Sequence, residues 1–259
     1  MLQEERYETI LALLKEKKHI KIEDVQKRLA VSLSTIRRDF RALVERKLAR
    51  RSHGGLSLFT SDRNDGNLPF ELRKVTHAEE KDRIAIAAAS LIEPHQTLYI
   101  DGGTTTLQLV KHLPKIPMTV VTNSLPHVML LVESHRDNPD LEIYSAGGYV
   151  YATWNVNLGP QARYCLSQYH AHYAFLSCRG IDKHGVYNHN ELIVEIERTM
   201  IENSDRTVLL MDHSKVGARS MSFLCAIEEV DTLITRNNPS QKTFFKTLKD
   251  KGVNVIQLD

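Results

Sequence analysis

The chain has 259 residues, of which 42% are hydrophobic and 25% charged, and its formal net charge is +2. This composition is typical of a globular protein and excludes the disordered and fibrous classes. The charge is uneven, because residues 1–58 hold 14 lysines and arginines against 8 acidic residues, and the remainder holds 20 against 24. A basic module before a mildly acidic one predicts nucleic-acid contact near the N-terminus.

The three cysteines lie far apart and form no Cys-x-x-Cys motif: Cys165, Cys178 and Cys225. We expect reduced, buried thiols in a cytoplasmic protein. The N-terminus is charged and amphipathic, so we expect no signal peptide, and no apolar run approaches membrane-spanning length.

The first predicted elements are a helix over residues 3–17, a short strand over 19–22 and a helix over 22–29. One face of the first helix carries four apolar side chains, Tyr7, Ile10, Leu11 and Leu14. A tight turn at residues 30–32 leads into a further helix. Helix, short turn and helix in this order predict a helix-turn-helix.

The helix after the turn has the pattern of a recognition helix. Ser32 is a suitable N-cap residue. The side chains spaced for burial are Ile36, Phe40, Leu43 and Val44, and those elsewhere on the cylinder are Ser34, Thr35, Arg37, Arg38 and Arg41. Hydroxyls in the first turn can reach base edges, and arginine binds guanine or phosphate. A solvated helix with an arginine-rich face is the alternative for this segment taken alone.

Residues 48–58 predict a hairpin with His53, Gly54 and Gly55 at its tip. Such a hairpin after a helix-turn-helix supplies a wing, which the strand at 19–22 could join. Arg50 and Arg51 flank the tip, where they could reach phosphate or the minor groove.

The pattern Ser-x-x-Thr-Ile-Arg-Arg-Asp-Phe at residues 32–40, followed by the His-Gly-Gly wing, resembles the DeoR-type bacterial transcription regulators. The resemblance implies a DNA-binding regulator, most commonly a repressor of carbohydrate-metabolism genes. It implies operator contacts at Ser34, Thr35, Arg37, Arg38 and His53. The partner is then double-stranded operator DNA.

Residues 59–76 are polar and contain glycine and proline, which predicts an interdomain linker between residues 1–58 and 77–259. From residue 77 helices and strands alternate. The predicted helices cover residues 77–91, 105–113, 126–133, 163–169, 192–203 and 241–249. The predicted strands cover residues 97–100, 118–122, 141–144, 173–177, 207–211, 232–235 and 254–257. The fold class is therefore α/β: a small winged helix-turn-helix domain joined to a larger α/β domain with a mostly parallel sheet.

Ligands of open parallel sheets bind beyond the carboxyl ends of the strands. Residues 101–106, Asp-Gly-Gly-Thr-Thr-Thr, follow one strand and open a helix, which suits a phosphate cradle. A tight turn with threonine caps fits the same residues. Four further strand ends carry small, polar or charged residues, at 122–124, 145–148, 179–182 and 212–217. Five such ends favour a polar ligand at one rim of the sheet.

These strand-end motifs resemble the effector domain of the DeoR type, which is similar to ribose-5-phosphate isomerase and typically senses a phosphorylated sugar. The resemblance implies effector contacts at Asp101, Gly103, Thr104, Thr105, Asn123, Gly147, Gly148, Asp182 and Lys215. Two segments depart from the family pattern. Residues 149–151, Tyr-Val-Tyr, stand where an arginine is usual, and residues 187–195 lack the usual Thr-x-x-Asn-x-x-Glu-Ala stretch.

No histidine spacing matches a zinc site with a third protein ligand, so we expect no metal and no cofactor. The histidines considered are His170, His172, His184, His189 and His213.

Three functions are compatible with these features. The first is a sugar-phosphate-controlled regulator, acting as a dimer or tetramer on a repeated or palindromic operator. The second is a sugar-phosphate isomerase with an added DNA-binding domain, since Asp101, Asp182, Glu195 and Lys215 include types that transfer protons. The third is a C-terminal domain that serves only for assembly.

Overall fold

The computed structural model describes residues 2–46, 48–58 and 69–259. The chain divides into two compact units, Met1–Ala78 and Glu79–Asp259. The combination of a helix-turn-helix unit with an α/β unit confirms the predicted fold class.

The first unit is built from helices around a small sheet. Its elements are α1 (Gln3–Lys17), β1 (His19–Lys21), α2 (Ile22–Leu29), α3 (Leu33–Glu45), β2 (Ala49–Ser52), β3 (Gly55–Leu58) and α4 (Phe70–Val75). The four apolar residues predicted on one face of α1 are all buried in its core. Strand β3 pairs antiparallel with both β1 and β2, so β1 joins the wing as expected.

The predicted linker at 59–76 has two parts. Residues 59–68 lie outside the described residues. Residues 70–75 form α4, and its Leu72 is buried in the core of the first unit together with α1. This short segment falls within the predicted linker, because a six-residue helix with two buried residues, Phe70 and Leu72, has too little periodicity to detect.

The second unit is organised around a parallel sheet. Its helices are α5 (Ala78–Ala89), α6 (Thr104–Lys111), α7 (Leu125–Ser134), α8 (Pro160–Leu166), α9 (Glu191–Glu202) and α10 (Lys242–Asp250). Its sheet strands are β4 (Gln96–Ile100), β5 (Met118–Thr122), β6 (Leu141–Ser145), β9 (Ala171–Leu176), β12 (Ser204–Leu210), β14 (Thr232–Arg236) and β15 (Asn254–Leu258). The strand order is β15-β14-β12-β9-β4-β5-β6, with every pair parallel.

Successive strand residues alternate between two cores, because neighbouring side chains of a strand point to opposite faces. Tyr99 belongs to a core that includes residues of α8, α9 and α10, whereas Leu98 and Ile100 belong to a core that includes residues of α5, α6 and α7. The sheet is therefore covered on both faces, as the continuous apolar strands predicted.

Five short strands lie outside the large sheet. They are β7 (Tyr149–Tyr151), β8 (Val156–Leu158), β10 (Gly180–Asp182), β11 (Gly185–Asn188) and β13 (Ser222–Cys225). Strands β7 and β8 form an antiparallel hairpin, and β10, β11 and β13 form an antiparallel sheet. None of these five segments was among the predicted strands, because three or four residues give no usable alternation.

The chain reverses its direction of travel across the large sheet at β4. From β4 it adds β5 and β6 on one side, and it then returns to add β9, β12, β14 and β15 on the other. Neighbouring strands β4 and β9 therefore lead into connections on opposite sides. Such a switch point opens a crevice at the carboxyl ends of the two strands.

Candidate DNA interface and effector site

Helix α3 begins as predicted. The Ser32 hydroxyl accepts a hydrogen bond from the Thr35 N–H at 3.2 Å, which satisfies one unpaired donor of the first turn. Ile36, Phe40 and Leu43 are buried. Val44, predicted in the same stripe, is half-buried against that core.

The opposite face of α3 carries the predicted DNA contacts. Ser34, Arg37, Arg38 and Arg41 are exposed, and Thr35 is half-buried. The Ser32 hydroxyl lies 2.8 Å from the hydroxyls of Ser34 and Thr35, so these side chains form a local network at the start of the helix. The arginines extend along the exposed face behind this network.

A buried charge pair holds α3 against α1. Asp39 is fully buried, and Arg6 donates to its two carboxylate oxygens from Nε at 2.7 Å and from a terminal nitrogen at 3.0 Å. The hydrogen bond to Asp39 raises the pKa of the Arg6 guanidinium. Asp39 was not among the residues singled out from the sequence, although its position among Ile36, Phe40 and Leu43 predicts a buried carboxylate that needs a partner.

The wing is a hairpin with His53 and Gly54 in its turn. Gly54 has φ +72°, which glycine adopts without strain. Gly55, predicted at the tip, is instead the first residue of β3, where an added Cβ would lie 1.9 Å from the Ile20 carbonyl oxygen. The predicted contacts Arg50, Arg51 and His53 are exposed on the hairpin.

A cavity of about 320 Å³ separates α3 from the wing. Arg37 and Arg41 line it from the helix, and Arg51 lines it from the hairpin. Three predicted DNA contacts from two elements therefore border one groove. Guanidinium groups so arranged suit phosphate or guanine.

In the second unit, Asp101 lies in the crevice between β4 and β9. It is 4% exposed, and one carboxylate oxygen accepts from the Ser177 N–H at 3.1 Å. The Asp101 N–H donates to the Phe175 carbonyl at 3.1 Å. Asp101 is thus held by the ends of both strands that form the switch point.

Gly102 and Gly103 permit close packing after β4. A Cβ at Gly103 would lie 2.3 Å from the Ser177 Oγ, and one at Gly102 would lie 2.1 Å from Val156 Cγ1. The loop therefore tolerates no side chain at either position unless its neighbours move.

Helix α6 starts immediately after these glycines, and its first residues, Thr104, Thr105 and Thr106, are buried. The N–H groups of a first helical turn have no carbonyl partner within the helix, which gives this end partial positive charge. Lys81 of α5 is 4% exposed and donates from Nζ to the Thr104 hydroxyl at 3.0 Å. An ammonium group and a helix N-terminus therefore meet at the predicted phosphate cradle.

Lys81 is a site residue that sequence analysis missed. It shares the buried face of α5 with Ile84, Ala85 and Ala88. That spacing carries a detectable signal, because a lysine three, four and seven residues before apolar side chains must bury its stem along the same face.

Asn123 and His127 connect the next strand end to the cradle. Asn123 is 4% exposed, and its side-chain amide donates to the Asn157 carbonyl at 3.3 Å. His127 is fully buried, hydrogen-bonded to the Ser124 hydroxyl and 3.3 Å from the Thr106 hydroxyl. Burial lowers the pKa of His127 to about 3, so its ring is neutral and ties α7 to α6.

Glu197 of α9 is the second missed residue. It is 3% exposed and accepts from the Asn188 side-chain amide at 2.7 Å. Burial raises its pKa well above the usual range, and the neighbouring Asp101 carboxylate raises it further. Glu195, singled out from the sequence, is half-buried and pairs with Arg163 at 3.5 Å. No local pattern distinguishes the two glutamates, because only the folded chain brings Glu197 to Asp101.

The remaining predicted effector residues lie on other connections. Gly147 is exposed, and Gly148, at φ +109°, packs against the first turn of α8. Asp182 ends β10, where it accepts from the His184 and Gly185 N–H groups and pairs with Arg219. Its carboxylate therefore stabilises a turn in the antiparallel sheet.

Lys215 follows β12 in a single 3₁₀ turn and is half-buried. Burial raises the pKa of the Cys178 thiol, and the nearby Lys215 ammonium opposes that shift. Cys178 and Cys225 are buried and Cys165 is half-buried, and all three are free thiols. Their predicted reduced state agrees with these positions.

The side chains of four histidines considered as metal ligands have described contacts. His170 lies 2.8 Å from Asp205, and His172 accepts from the Thr97 N–H at 3.0 Å. The ring Nδ1 of His213 lies 2.7 Å from one carboxylate oxygen of Glu80, and the backbone N–H of His213 donates to the other. His189 stacks on Trp154.

None of the helices within residues 2–46, 48–58 and 69–259 combines the length and apolar character needed to cross a membrane.

Comparisons with known proteins agree with both units. Residues 6–62 match the family model of the DeoR-like helix-turn-helix domain, and residues 76–237 match that of the DeoR C terminal sensor domain. The HTH-type transcriptional repressor GlcR of Bacillus subtilis (strain 168) is 34% identical over 256 residues, covering 99% of this chain and 96% of the relative. The HTH-type transcriptional regulator GolR of Listeria innocua is 32% identical, covering 97% of each chain.

Among solved structures, ribose 5-phosphate isomerase A from Methanocaldococcus jannaschii gives a TM-score of 0.39 at 14% identity, covering 54% of this chain and 55% of that chain. The enzyme from Neisseria gonorrhoeae gives 0.38 at 15% identity, covering 54% and 53%. Two family models that span most of the sequence, and relatives about one-third identical along almost its whole length, show that the chain belongs to the DeoR family of DNA-binding transcription regulators.

Proposed function

We propose that a phosphorylated sugar bound in the second unit controls operator binding by the first. The observation that carries the proposal is the meeting of the Lys81 ammonium with the N-terminus of α6, beside buried Thr104 and Thr105. A phosphate there would meet the Lys81 side chain and the backbone N–H groups of the first helical turn. Asp101 and Asn123, at neighbouring strand ends, would take the sugar hydroxyls.

Lys81→Met tests this site. Its unbranched side chain retains most of the buried stem but removes the charge. We expect a panel of pentose and hexose phosphates to raise the melting temperature of the parent protein, and the free sugars to leave it unchanged. The stabilisation should be lost in Lys81→Met. If no member of the panel stabilises the parent, the second unit serves assembly alone.

For the DNA interface we propose that Ser34, Thr35, Arg37, Arg38, Arg41, Arg50, Arg51 and His53 contact the operator. The groove lined by Arg37, Arg41 and Arg51 supports this assignment. We expect Arg37→Ala and Arg38→Ala each to weaken operator binding about tenfold at fixed salt. Arg136→Ala, at an exposed position of the second unit, is the control. If Arg37→Ala and Arg38→Ala both bind the operator as tightly as the parent protein, the proposed DNA contacts are wrong.

We propose repression as the mode of regulation, since GlcR is named a transcriptional repressor. The protein would act in the cytoplasm, where a bacterial operator lies. We also propose a dimer or tetramer, because two recognition helices read a symmetric operator. Helix α7 supports self-association, because its exposed face carries an apolar stripe of Leu125, Met129 and Val132. Glu133 is the only acidic residue of this helix.

An isomerase-like activity is the second candidate. Asp101 and Glu197 place a carboxylate beside a carboxyl group of raised pKa, which is a suitable pair for proton transfer. The regulatory names of the relatives favour a sensor without turnover. Incubation with pentose and hexose phosphates decides between them: interconversion that disappears in Asp101→Asn would establish catalysis.

A further inference from the structure

The hairpin β7–β8 lies over the carboxyl end of β5, next to the crevice. The Asn157 N–H donates to the Asn123 carbonyl at 2.7 Å, and the Leu125 N–H donates to the Asn155 carbonyl at 3.0 Å. Val156 forms an isolated bridge with Ser124. The hairpin is thus fixed to the same strand end that carries the predicted effector contact Asn123.

Trp154 lies in the turn of this hairpin and is 6% exposed. Its ring stacks on His189, with centroids 4.0 Å apart and planes inclined by 23°. His189 belongs to a different segment, between β11 and α9, and its N–H donates to the Asn188 side-chain oxygen at 3.0 Å. The stack therefore joins two connections that are distant in sequence.

These contacts close a ring that includes Asp101, the residue after β4. From His189 it runs through Asn188 to Glu197, at 2.7 Å, and on to the Asp101 carboxylate. Gly102, which follows Asp101, packs against Val156 of the hairpin and completes the circuit. The ring therefore contains the aromatic pair as well as the two carboxyl groups.

We propose that Trp154 and His189 form the aromatic wall of the effector site, against which the carbon chain of a phosphorylated sugar packs. This inference rests on the proposed function. Small-ligand sites combine apolar and aromatic surface with a few polar groups that orient the ligand. Here Asp101 and Asn123 supply polar groups and Lys81 supplies the phosphate contact.

Two segments border this wall: residues 149–151, which end three residues before Trp154, and residues 187–195, which include His189. The first forms β7 of the hairpin that presents Trp154, and the second contains His189. A wall that contacts the carbon chain sets which sugar this chain accepts, because the phosphate contact is common to all sugar phosphates.

Trp154 is the only tryptophan of the chain, so its fluorescence reports on this wall alone. The full-length protein without DNA is titrated with pentose and hexose phosphates and with the free sugars. We expect a saturable change in emission with the sugar phosphate that also alters DNA affinity, and none with its free sugar.

Binding by Trp154→Phe and His189→Ala is measured by calorimetry, which needs no tryptophan. We expect each variant to bind the effector about tenfold more weakly while binding DNA without effector within about twofold of the parent. Phe223→Leu, in the separate Tyr187–Phe223 ring pair, is the control. His189→Ala keeps the test valid if Trp154→Phe does not fold.

The outcomes separate the two proposals. If no sugar phosphate changes the DNA affinity or the melting temperature of the parent, the proposed function fails. If one sugar phosphate does so, but the emission stays constant and His189→Ala keeps the parent affinity for it, the aromatic wall is overturned and the proposed function stands.

Discussion

The ion pair between Arg6 and Asp39 determines how the recognition helix is held. Asp39 is fully buried, and the Arg6 side chain is 14% exposed. Removing one partner of a buried pair leaves an uncompensated charge. We expect Arg6→Ala to lower the free energy of unfolding of the first unit by about 3 kcal/mol, measured by urea denaturation.

Lys17→Ala is the matched control, because Lys17 is exposed on the same helix. We expect it to change stability by less than about 0.5 kcal/mol. Equal effects of the two substitutions would mean that the pair contributes nothing to the position of α3.

The buried His127 makes the stability of the second unit depend on pH. Its pKa is lowered from 6.5 to about 3 by burial, so below pH 6.5 the unfolded chain binds a proton that the folded chain excludes. Its contribution to stability is fully present above pH 6.5 and is lost as the pH falls towards about 3. We expect a loss of about 1.4 kcal/mol per pH unit in that window.

His127→Gln retains hydrogen-bonding groups but does not titrate. Urea denaturation at about pH 7, 6 and 5 should therefore show a shallower loss of stability in the variant than in the parent. Identical pH dependence in both proteins would show that His127 is accessible to protons in the folded state.

At the scale of elements, the wing depends on close packing of β3 against β1. A Cβ at Gly55 would lie 1.9 Å from the Ile20 carbonyl oxygen, and backbone at both sides must then move. We expect Gly55→Ala to lower the free energy of unfolding of the first unit by about 2 kcal/mol and to weaken DNA binding by displacing Arg51. Denaturation and DNA titration measure the two effects.

Gly54→Asn is the control for that substitution. Asparagine tolerates a positive φ, and a Cβ at Gly54 meets nothing within 4 Å. A Gly55→Ala protein as stable and as active on DNA as Gly54→Asn would contradict the packing argument.

The elements that could be predicted from sequence are those with enough residues to show a period. Helix α1 and strand β5 have the predicted bounds, and the seven parallel strands were all expected. Strands such as β10 and β11 were missed because their pairing partners, rather than their own composition, define them. The same limit applies to the site: Asp101 and Thr104 follow a recognisable strand, whereas Glu197 reaches Asp101 only through the fold.

At the scale of the whole molecule, self-association would bring two recognition helices to one operator. The stripe on α7 is the surface proposed for it, and Met129 at its centre is 70% exposed. We expect Met129→Glu to shift the protein towards monomer in light-scattering measurements, because a carboxylate on each copy would be buried against an apolar surface.

Met221→Glu is the matched control, since Met221 is 79% exposed and lies outside α7. Met221→Glu should leave the mass of the oligomer, measured by light scattering, unchanged. If Met129→Glu keeps the oligomeric state of the parent, the copies associate through another surface.

Control of DNA binding by the effector requires that the ligand favour one conformation or domain arrangement over another, since only differential affinity shifts an equilibrium. The most direct measurement is the affinity of the parent and of Lys81→Met for the DNA upstream of the protein's own gene, at fixed salt, with and without a panel of sugar phosphates. We predict that one sugar phosphate changes the affinity of the parent, that its free sugar does not, and that Lys81→Met binds the DNA but ignores the effector. An affinity for DNA that no sugar phosphate alters, or an unchanged response in Lys81→Met, would contradict the account.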